Sequence, residues 1–307
     1  MFRRGSSWLA VLGAVAAPAL AQPREPGADT PIVVSGQPTL SEEQARTLVR
    51  RVARPVDGQL ARFDEPICPE VNGFEAEYAA LVGAWIKATA ERVGLEAGGD
   101  DCTANLFLVI VDDAPAFVEE LARRDPAAVT GLSRREFEQL SGVAGPARSW
   151  STTLVTNGLG GSAGRPSPSR GHGAVKTGFA GSSVSFGDVP VMRIYDASNA
   201  NPSVQQTIRS SWVVLETQAT LGKSLRQIAD YAAMRGLAMV RPETLDSGAV
   251  SILGLFEAGE PSAPPALTEF DLAYLTSLYR VPARRWARSQ VHYIANAIAR
   301  NSGEDTP

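Results

Sequence analysis

The sequence is poor in the two residue types that most often bind transition metals. It has only two histidines, His172 and His292, and two cysteines, Cys68 and Cys102, among its 307 residues. A zinc site of the usual kind needs two or three imidazoles, or several thiolates or carboxylates that converge. The chain contains no His-x-x-x-His pair anywhere. We therefore expect no metal site and no cofactor.

The chain also lacks an excess of positive charge and, beyond its first residues, any long apolar run. Its formal net charge is -4 at pH 7 and its pI is about 5.4. Nucleic-acid binding relies on basic side chains that neutralise phosphates, so we expect no nucleic-acid partner. A membrane-spanning helix needs about 20 consecutive apolar residues. The mature part has no such run, and we predict no transmembrane segment in it.

The first 21 residues have the pattern of an export signal. Arg3 and Arg4 form a basic start, residues 8–17 are apolar, and residues 19–21 form a small-x-small cleavage site. No cysteine follows that site, which argues against a lipid-anchored lipoprotein. We predict a signal peptide over residues 1–21 and a mature protein that is periplasmic or secreted.

The two cysteines both lie in the mature part. In an oxidising compartment two lone cysteines are expected to pair. A Cys68–Cys102 disulfide would close a loop of about 35 residues and stabilise the fold by roughly 3–4 kcal/mol. The alternative is two buried free thiols, which the export signal makes less favoured.

Apolar patterns predict the fold class. Residues 106–111 form an apolar run without alternation, which is typical of a strand covered on both faces. Residues 222–239 are apolar nearly all round, as in a buried helix. Further helices are predicted over about 41–51, 74–93, 114–124, 133–140, 268–281 and 283–300, and further strands over 148–155, 189–194 and 207–216. This order of elements predicts an α+β fold with a small mixed sheet, several helices and one disulfide.

We predict a flexible N-terminal segment over residues 22–40 and a single α+β domain over 41–302. Within the domain, residues 157–187 differ in composition: 17 of the 31 are Gly, Ser or Pro, and none is acidic. Such a segment cannot bury enough apolar surface to offset the entropy lost on ordering, so we predict a mobile loop. We expect residues 57–74, between two helices, to be irregular.

One short motif in this loop has the spacing of a catalytic nucleophile. Ser162 is the serine of a Gly-x-Ser-x-Gly pattern, the nucleophile elbow of α/β-hydrolases, and Asp271 and His292 follow in the order of a triad. The elbow requires a helix directly after it. Because Pro166 and Pro168 prevent that helix from starting in register, we do not favour a serine hydrolase.

The central helix resembles the zinc-binding helix of zincin metallopeptidases, His-Glu-x-x-His-x-x-Gly-Leu. In that family the two histidines hold zinc and the glutamate activates water. Ala229 and Ala233 stand at the histidine positions, Asp230 at the glutamate position and Gly236 at the glycine position. The resemblance implies a zincin-like fold that has lost its metal: a non-catalytic pseudopeptidase that binds an envelope protein or a peptide ligand, or that has a structural role.

A wider resemblance covers most of the mature chain. The sequence is similar to uncharacterised exported proteins of sphingomonad-type alphaproteobacteria. The residues that carry this resemblance are Cys68-Pro69, Cys102 with Asn105-Leu106, Ala229-Asp230-Tyr231 with Met234-Arg235, and Leu267-Thr268 with Phe270-Asp271. It implies an exported protein but does not indicate an activity.

Asp230 is the only carboxylate between Glu216 and Glu243. It can pair with Arg226 one helical turn earlier, which we favour. Alternatively, it is a buried acid that lines a remnant cleft, which would make the chain a hydrolase. In that alternative the other groups would be Glu216 and Tyr231.

The final helix carries a group of basic residues: Arg284, Arg285, Arg288, His292 and Arg300. We favour a solvated helix face here over a docking surface for an acidic partner.

Overall fold

The structure is a computed structural model that describes residues 40–142, 145–157, 174–176, 183–185, 201–241, 251–257 and 263–304. The chain divides into two units, Met1–Gln37 and Pro38–Pro307, and the described residues all belong to the second. The predicted signal peptide, nearly all of the predicted N-terminal segment, most of the predicted loop over 157–187 and the predicted strand over 189–194 lie outside the described residues.

The described residues form an α+β fold, as predicted. The helices are α1 (Glu42–Val52), α2 (Ala76–Arg92), α3 (Ala114–Arg124), α4 (Arg134–Ser141), the single turn α5 (Thr217–Thr220), α6 (Leu225–Leu237), α7 (Glu269–Arg280) and α8 (Ala287–Glu304). The strands are β1 (Pro69–Asn72), β2 (Leu106–Val111), β3 (Ala147–Asn157), β4 (Ala174–Lys176), β5 (Ser183–Ser185) and β6 (Val204–Glu216). Two 3-10 turns cover Pro126–Val129 and Ile252–Phe256.

Four helices begin with a reciprocal capping box, in which the N-cap hydroxyl accepts from the N3 backbone and the N3 side chain accepts from the N-cap backbone. The pairs are Ser41 with Gln44 (α1), Ser133 with Glu136 (α4), Ser224 with Gln227 (α6) and Thr268 with Asp271 (α7). These caps fix where each helix starts, and α6 therefore begins at Leu225 rather than at residue 222.

Four strands form a mixed sheet in the order β1-β2-β6-β3. The first three are parallel, and β3 runs antiparallel to β6. A bulge lies between Thr152 and Thr153, where the register of β3 on β6 shifts. β4 and β5 form a separate antiparallel pair.

Helices cover both faces of this sheet. Leu106, Leu108 and Ile110 of β2 belong to the larger core, to which helices α1, α2, α6, α7 and α8 contribute. Val109 of β2 belongs to a smaller core on the other face, with residues of α3 and of the 3-10 turn after it. The prediction that residues 106–111 form a strand covered on both faces is confirmed.

The disulfide between Cys68 and Cys102 is present, and neither cysteine is free. Cys68 precedes β1 and Cys102 precedes β2, so the bond ties the entrances of two neighbouring parallel strands. The side chain of Asn105 adds to this tie: it accepts from Cys68 N at 2.9 Å and donates to Pro66 O at 2.9 Å. In the described part of the chain, no helix is both long and apolar enough to cross a bilayer.

Two further sequence predictions were wrong in detail. Residues 57–74 are not all irregular, because β1 lies within them. Proline and asparagine are unfavourable in strands, but β1 is a short edge strand, where Pro69 is tolerated. The last helix begins at Ala287 instead of residue 283 because Arg285 N donates to Ala283 O in a turn.

Candidate functional site

Helix α6, which carries the zincin-like motif, is buried along most of its length. Every residue from Ile228 to Leu237 is buried. At Gly236 the helix meets β2 so closely that an added Cβ would lie 2.7 Å from Leu106 Cδ1 and 2.9 Å from its Cγ. The glycine of the motif therefore has a packing role, because only a residue without a side chain allows this contact.

The positions that match the zincin histidines lie in the core. Ala229 and Ala233 have no exposed surface and belong to the larger hydrophobic cluster. The surroundings of the motif are thus a filled core rather than an open cleft. Among the described residues, no three side chains of His, Cys, Asp or Glu are grouped so that they could hold a metal ion.

Asp230 is fully buried and bound on one of its two oxygens. Its Oδ2 accepts from Arg226 Nε at 2.8 Å and from Leu267 N at 2.9 Å. Its Oδ1 is buried and has no hydrogen-bond partner among the described residues. The Arg226 guanidinium also lies over the Trp85 ring, 5.7 Å from its centroid. The favoured pairing with Arg226 is present, and the carboxylate ties α6 to the start of α7.

The groups that a hydrolase would use with Asp230 each have a different arginine as partner. Glu216 Oε1 lies 3.1 Å from Arg148 Nη1. The Tyr231 hydroxyl accepts from Arg235 Nε at 3.1 Å. Within the described ranges no hydrogen bond joins any two of Asp230, Glu216 and Tyr231, so the structure does not assemble them into one site.

The three residues in triad order are not brought together either. Ser162 lies outside the described residues. Asp271 accepts from Ile252 N at 2.8 Å and from the hydroxyls of Ser251 and Thr268. Burial raises the pKa of Asp271 despite these hydrogen bonds, which act to lower it. His292 is exposed, and its Nδ1 lies 3.7 Å from Glu42 Oε1.

A groove that the sequence did not reveal lies beside β3. We call it the β3-edge groove, and its volume is about 170 Å³. It is lined by Arg54, Pro55 and Val56 after α1, by Gly131, Leu132 and Glu136 before and within α4, by Ser151 and Thr153 of β3, and by Met239 after α6.

The backbone of β3 faces outward at the two residues that line this groove. Glu216 N donates to Pro146 O at 2.9 Å, so the backbone of Pro146 faces β6. Along a strand of an antiparallel pair, the backbone groups of successive residues alternately face the partner strand and point away from it. The N–H and C=O of Ser151, five residues later, therefore point away from β6. Beyond the bulge, Ile208 N donates to Arg62 O, away from β3. Thr153, which lies opposite Ile208, therefore also faces outward. No strand in the described ranges pairs with this outer edge of β3.

The groove combines an apolar wall with a charged rim. Val56, Leu132 and Met239 supply aliphatic surface, and Arg54 and Glu136 form an ion pair. Partial burial acts to raise the pKa of Glu136, but hydrogen bonds from Ser133 and the charge of Arg54 outweigh it. The pKa of this carboxyl is therefore below its ordinary value. The ion pair fixes the position of α4 relative to the chain after α1.

The arrangement places one side-chain pocket next to backbone groups that pair with no strand of the described ranges. A peptide in extended conformation uses both features when it adds to the edge of a sheet. The sequence pattern could not reveal this site, because its lining comes from segments far apart in the chain.

No protein family, no curated protein and no solved structure matches this chain at a significant level, so the functional argument depends on its own geometry.

Proposed function

We propose that this chain is an exported, non-catalytic, zincin-like protein of the cell envelope, a pseudopeptidase that binds a peptide ligand in extended conformation. The peptide adds to the outer edge of β3 and places one side chain in the β3-edge groove.

The observation that carries this proposal is the position of the groove beside outward-facing backbone. Ser151 and Thr153 each offer one N–H donor and one C=O acceptor to an added strand. Main-chain hydrogen bonds of this kind supply affinity, and a side-chain pocket supplies selectivity. The groove, with a volume of about 170 Å³, has room for one side chain. Val56, Leu132 and Met239 on its wall suit an apolar side chain.

The core position of the zincin-like motif supports the non-catalytic part. Ala229 and Ala233 offer no metal ligand, and both are sealed in the core. Asp230 is bound to Arg226 and to the backbone of Leu267. These contacts give the acid a role in holding α6 and α7 together.

A hydrolase that uses Asp230 is the alternative, and one observation favours it. The buried Oδ1 of Asp230 has no hydrogen-bond partner within the described ranges, so it could accept a hydrogen bond from a water molecule or a substrate. A screen of the purified mature protein with peptide and ester substrates, repeated with Asp230→Asn, separates the two functions.

The peptide proposal is tested with a panel of short, fluorescently labelled peptides, each with one apolar residue between polar ones, in an anisotropy titration. The critical variant is Thr153→Pro, which removes an outward N–H without removing a hydrogen bond to β6. We expect the affinity of the bound peptides to fall roughly fivefold to tenfold, the effect of one net hydrogen bond. Thr153→Val keeps the N–H and should bind as the wild type does.

Equal affinity for the wild type and Thr153→Pro would contradict the proposal, as would a panel in which no peptide binds. A thermal melt of each variant confirms that the fold is retained, since proline is tolerated on edge strands.

A further inference from the structure

The connection between α7 and α8 is strongly basic in an acidic protein. Between Asp271 and Glu304 the sequence has no acidic residue and five arginines, although the whole chain has a formal net charge of -4. Four of the five fall within the nine residues from Arg280 to Arg288. We call the surface formed by Arg280, Arg285, Trp286 and Arg288 the α7–α8 corner.

The side chains of this corner are turned to solvent. Arg280, Arg285 and Arg288 are exposed, and none of them forms an ion pair with a carboxylate of the described residues. Trp286 is 45% exposed. Tyr293, two turns further along, is 40% exposed. The corner thus combines positive charge with aromatic rings that are only partly covered.

Contacts with the chain after α1 hold the backbone of the α7–α8 corner in place. The Trp286 ring lies against Gly58, where an added Cβ would be 3.2 Å from ring atoms, and Ala287 N donates to Gly58 O at 2.7 Å. The buried side chain of Gln290 accepts from Leu60 N at 2.8 Å and donates to Ala283 O at 3.3 Å. Docking at a preformed surface loses little conformational entropy.

Two acids lie on segments packed against this part of the chain, and both have partners. Asp57, next to Gly58, accepts from Gln206 Nε2 at 3.0 Å. Glu42 of α1 has its Oε1 3.4 Å from Arg46 Nη2 and 3.7 Å from His292 Nδ1. One carboxylate shared between two basic groups does not cancel the charge of the corner. The local field is therefore positive.

We propose that the α7–α8 corner docks on the surface of a phospholipid bilayer with anionic headgroups. Basic residues near such a surface are each attracted to it by about 1 kcal/mol, and the corner supplies three arginines. Guanidinium groups bind phosphate with paired hydrogen bonds. Trp286 and Tyr293 have apolar rings with a polar atom, and such residues concentrate at headgroup level.

The test is co-sedimentation of the full chain with vesicles of equal parts phosphatidylcholine and phosphatidylglycerol, and with vesicles of phosphatidylcholine alone. We expect binding to the first kind only, and release at high salt. The double variant Arg285→Gln, Arg288→Gln should bind roughly 30-fold more weakly, from about 1 kcal/mol per arginine. The matched control is Arg123→Gln, Arg124→Gln, which removes the same charge from exposed positions on α3 and should bind as the wild type does.

Equal loss of binding in both double variants would overturn the proposal, since the whole net charge and not the corner would then be responsible. Equal binding to both kinds of vesicle, or no binding to either, would overturn it as well. None of these results bears on peptide binding, because the corner and the β3-edge groove share no residue.

Discussion

Asp230 is the residue on which the two functional interpretations differ most. It is fully buried, and its Oδ2 accepts two hydrogen bonds. Asp230→Asn removes the charge that strengthens both bonds. We expect the free energy of unfolding in urea to fall by about 2 kcal/mol, the magnitude for hydrogen bonds to a charged group.

The matched control for Asp230→Asn is Glu138→Gln. Glu138 pairs with Arg134 at the same spacing of four residues, but the pair is highly exposed. Exposed pairs of this kind contribute only about 0.3–0.5 kcal/mol, so this variant should be nearly as stable as the wild type. An Asp230→Asn protein that keeps its stability and loses a hydrolytic activity would instead support the hydrolase.

Gly236 and Gly83 give a second contrast between positions that look alike in sequence, since both are glycines inside helices. Gly236→Ala should lower the free energy of unfolding by about 1–3 kcal/mol, because its Cβ would overlap the buried Leu106 side chain. Gly83→Ala should raise it by about 0.5–1 kcal/mol, because its Cβ would make ordinary contacts at 3.9 Å and 4.0 Å and alanine favours helix. Chemical denaturation of both variants measures these shifts, and a stabilising Gly236→Ala would show that α6 does not press on β2.

Glu136 makes the groove rim sensitive to pH. Because the folded-state pKa of Glu136 is below the ordinary value of 4.5, its carboxylate stabilises the fold at a pH above that value. This contribution is lost as the pH falls through the folded-state pKa. We therefore expect the stability difference between the wild type and Glu136→Gln to shrink on acidification from about pH 7 to about pH 3. A difference that stays constant over this range would exclude the proposed ionic contribution of the rim.

At the level of elements, the sequence patterns predicted the strands and helices whose formation depends on the residues within the element itself. The apolar run of β2 and the apolar circumference of α6 were enough to place both, because each is buried on almost every side. β1 escaped prediction because its pairing with β2, and not its own composition, makes it a strand. The start of α8 was misplaced because the residues before it form a turn in which Arg285 N donates to Ala283 O.

The disulfide stabilises the pairing of β1 with β2. It joins residues 34 apart in sequence at the entrance of both strands, and the sulfurs lie so close to Gly98 that an added Cβ would be 2.2 Å from Cys68 Sγ. Reduction should lower the free energy of unfolding by about 3–4 kcal/mol on the chain-entropy account. Denaturation with and without reductant measures this. A Cys68→Ser, Cys102→Ser protein with undiminished stability would contradict that expectation.

For the whole molecule, the sequence predicted the fold class and the disulfide but not the β3-edge groove. The groove joins Arg54 to Glu136, 82 residues apart, and adds Met239 from a third segment. The periodicity of a local segment does not indicate which distant segments it contacts. The zincin resemblance drew attention to α6, whose motif lies in the core, while the outward-facing backbone belongs to β3 at the edge of the sheet. The predicted mobile loop over 157–187 follows β3 in the chain and stays a prediction.

The central claim is that a peptide adds to the outer edge of β3, which pairs with no described strand. Amide hydrogen exchange of the protein, alone and saturated with a bound peptide of the panel, tests it most directly. The account predicts that the outward amides of Ser151 and Thr153 become strongly protected, while the amide of Trp150, which already faces β6, changes little. Protection confined to the surface of another element, with these two amides exchanging as fast as before, would contradict it.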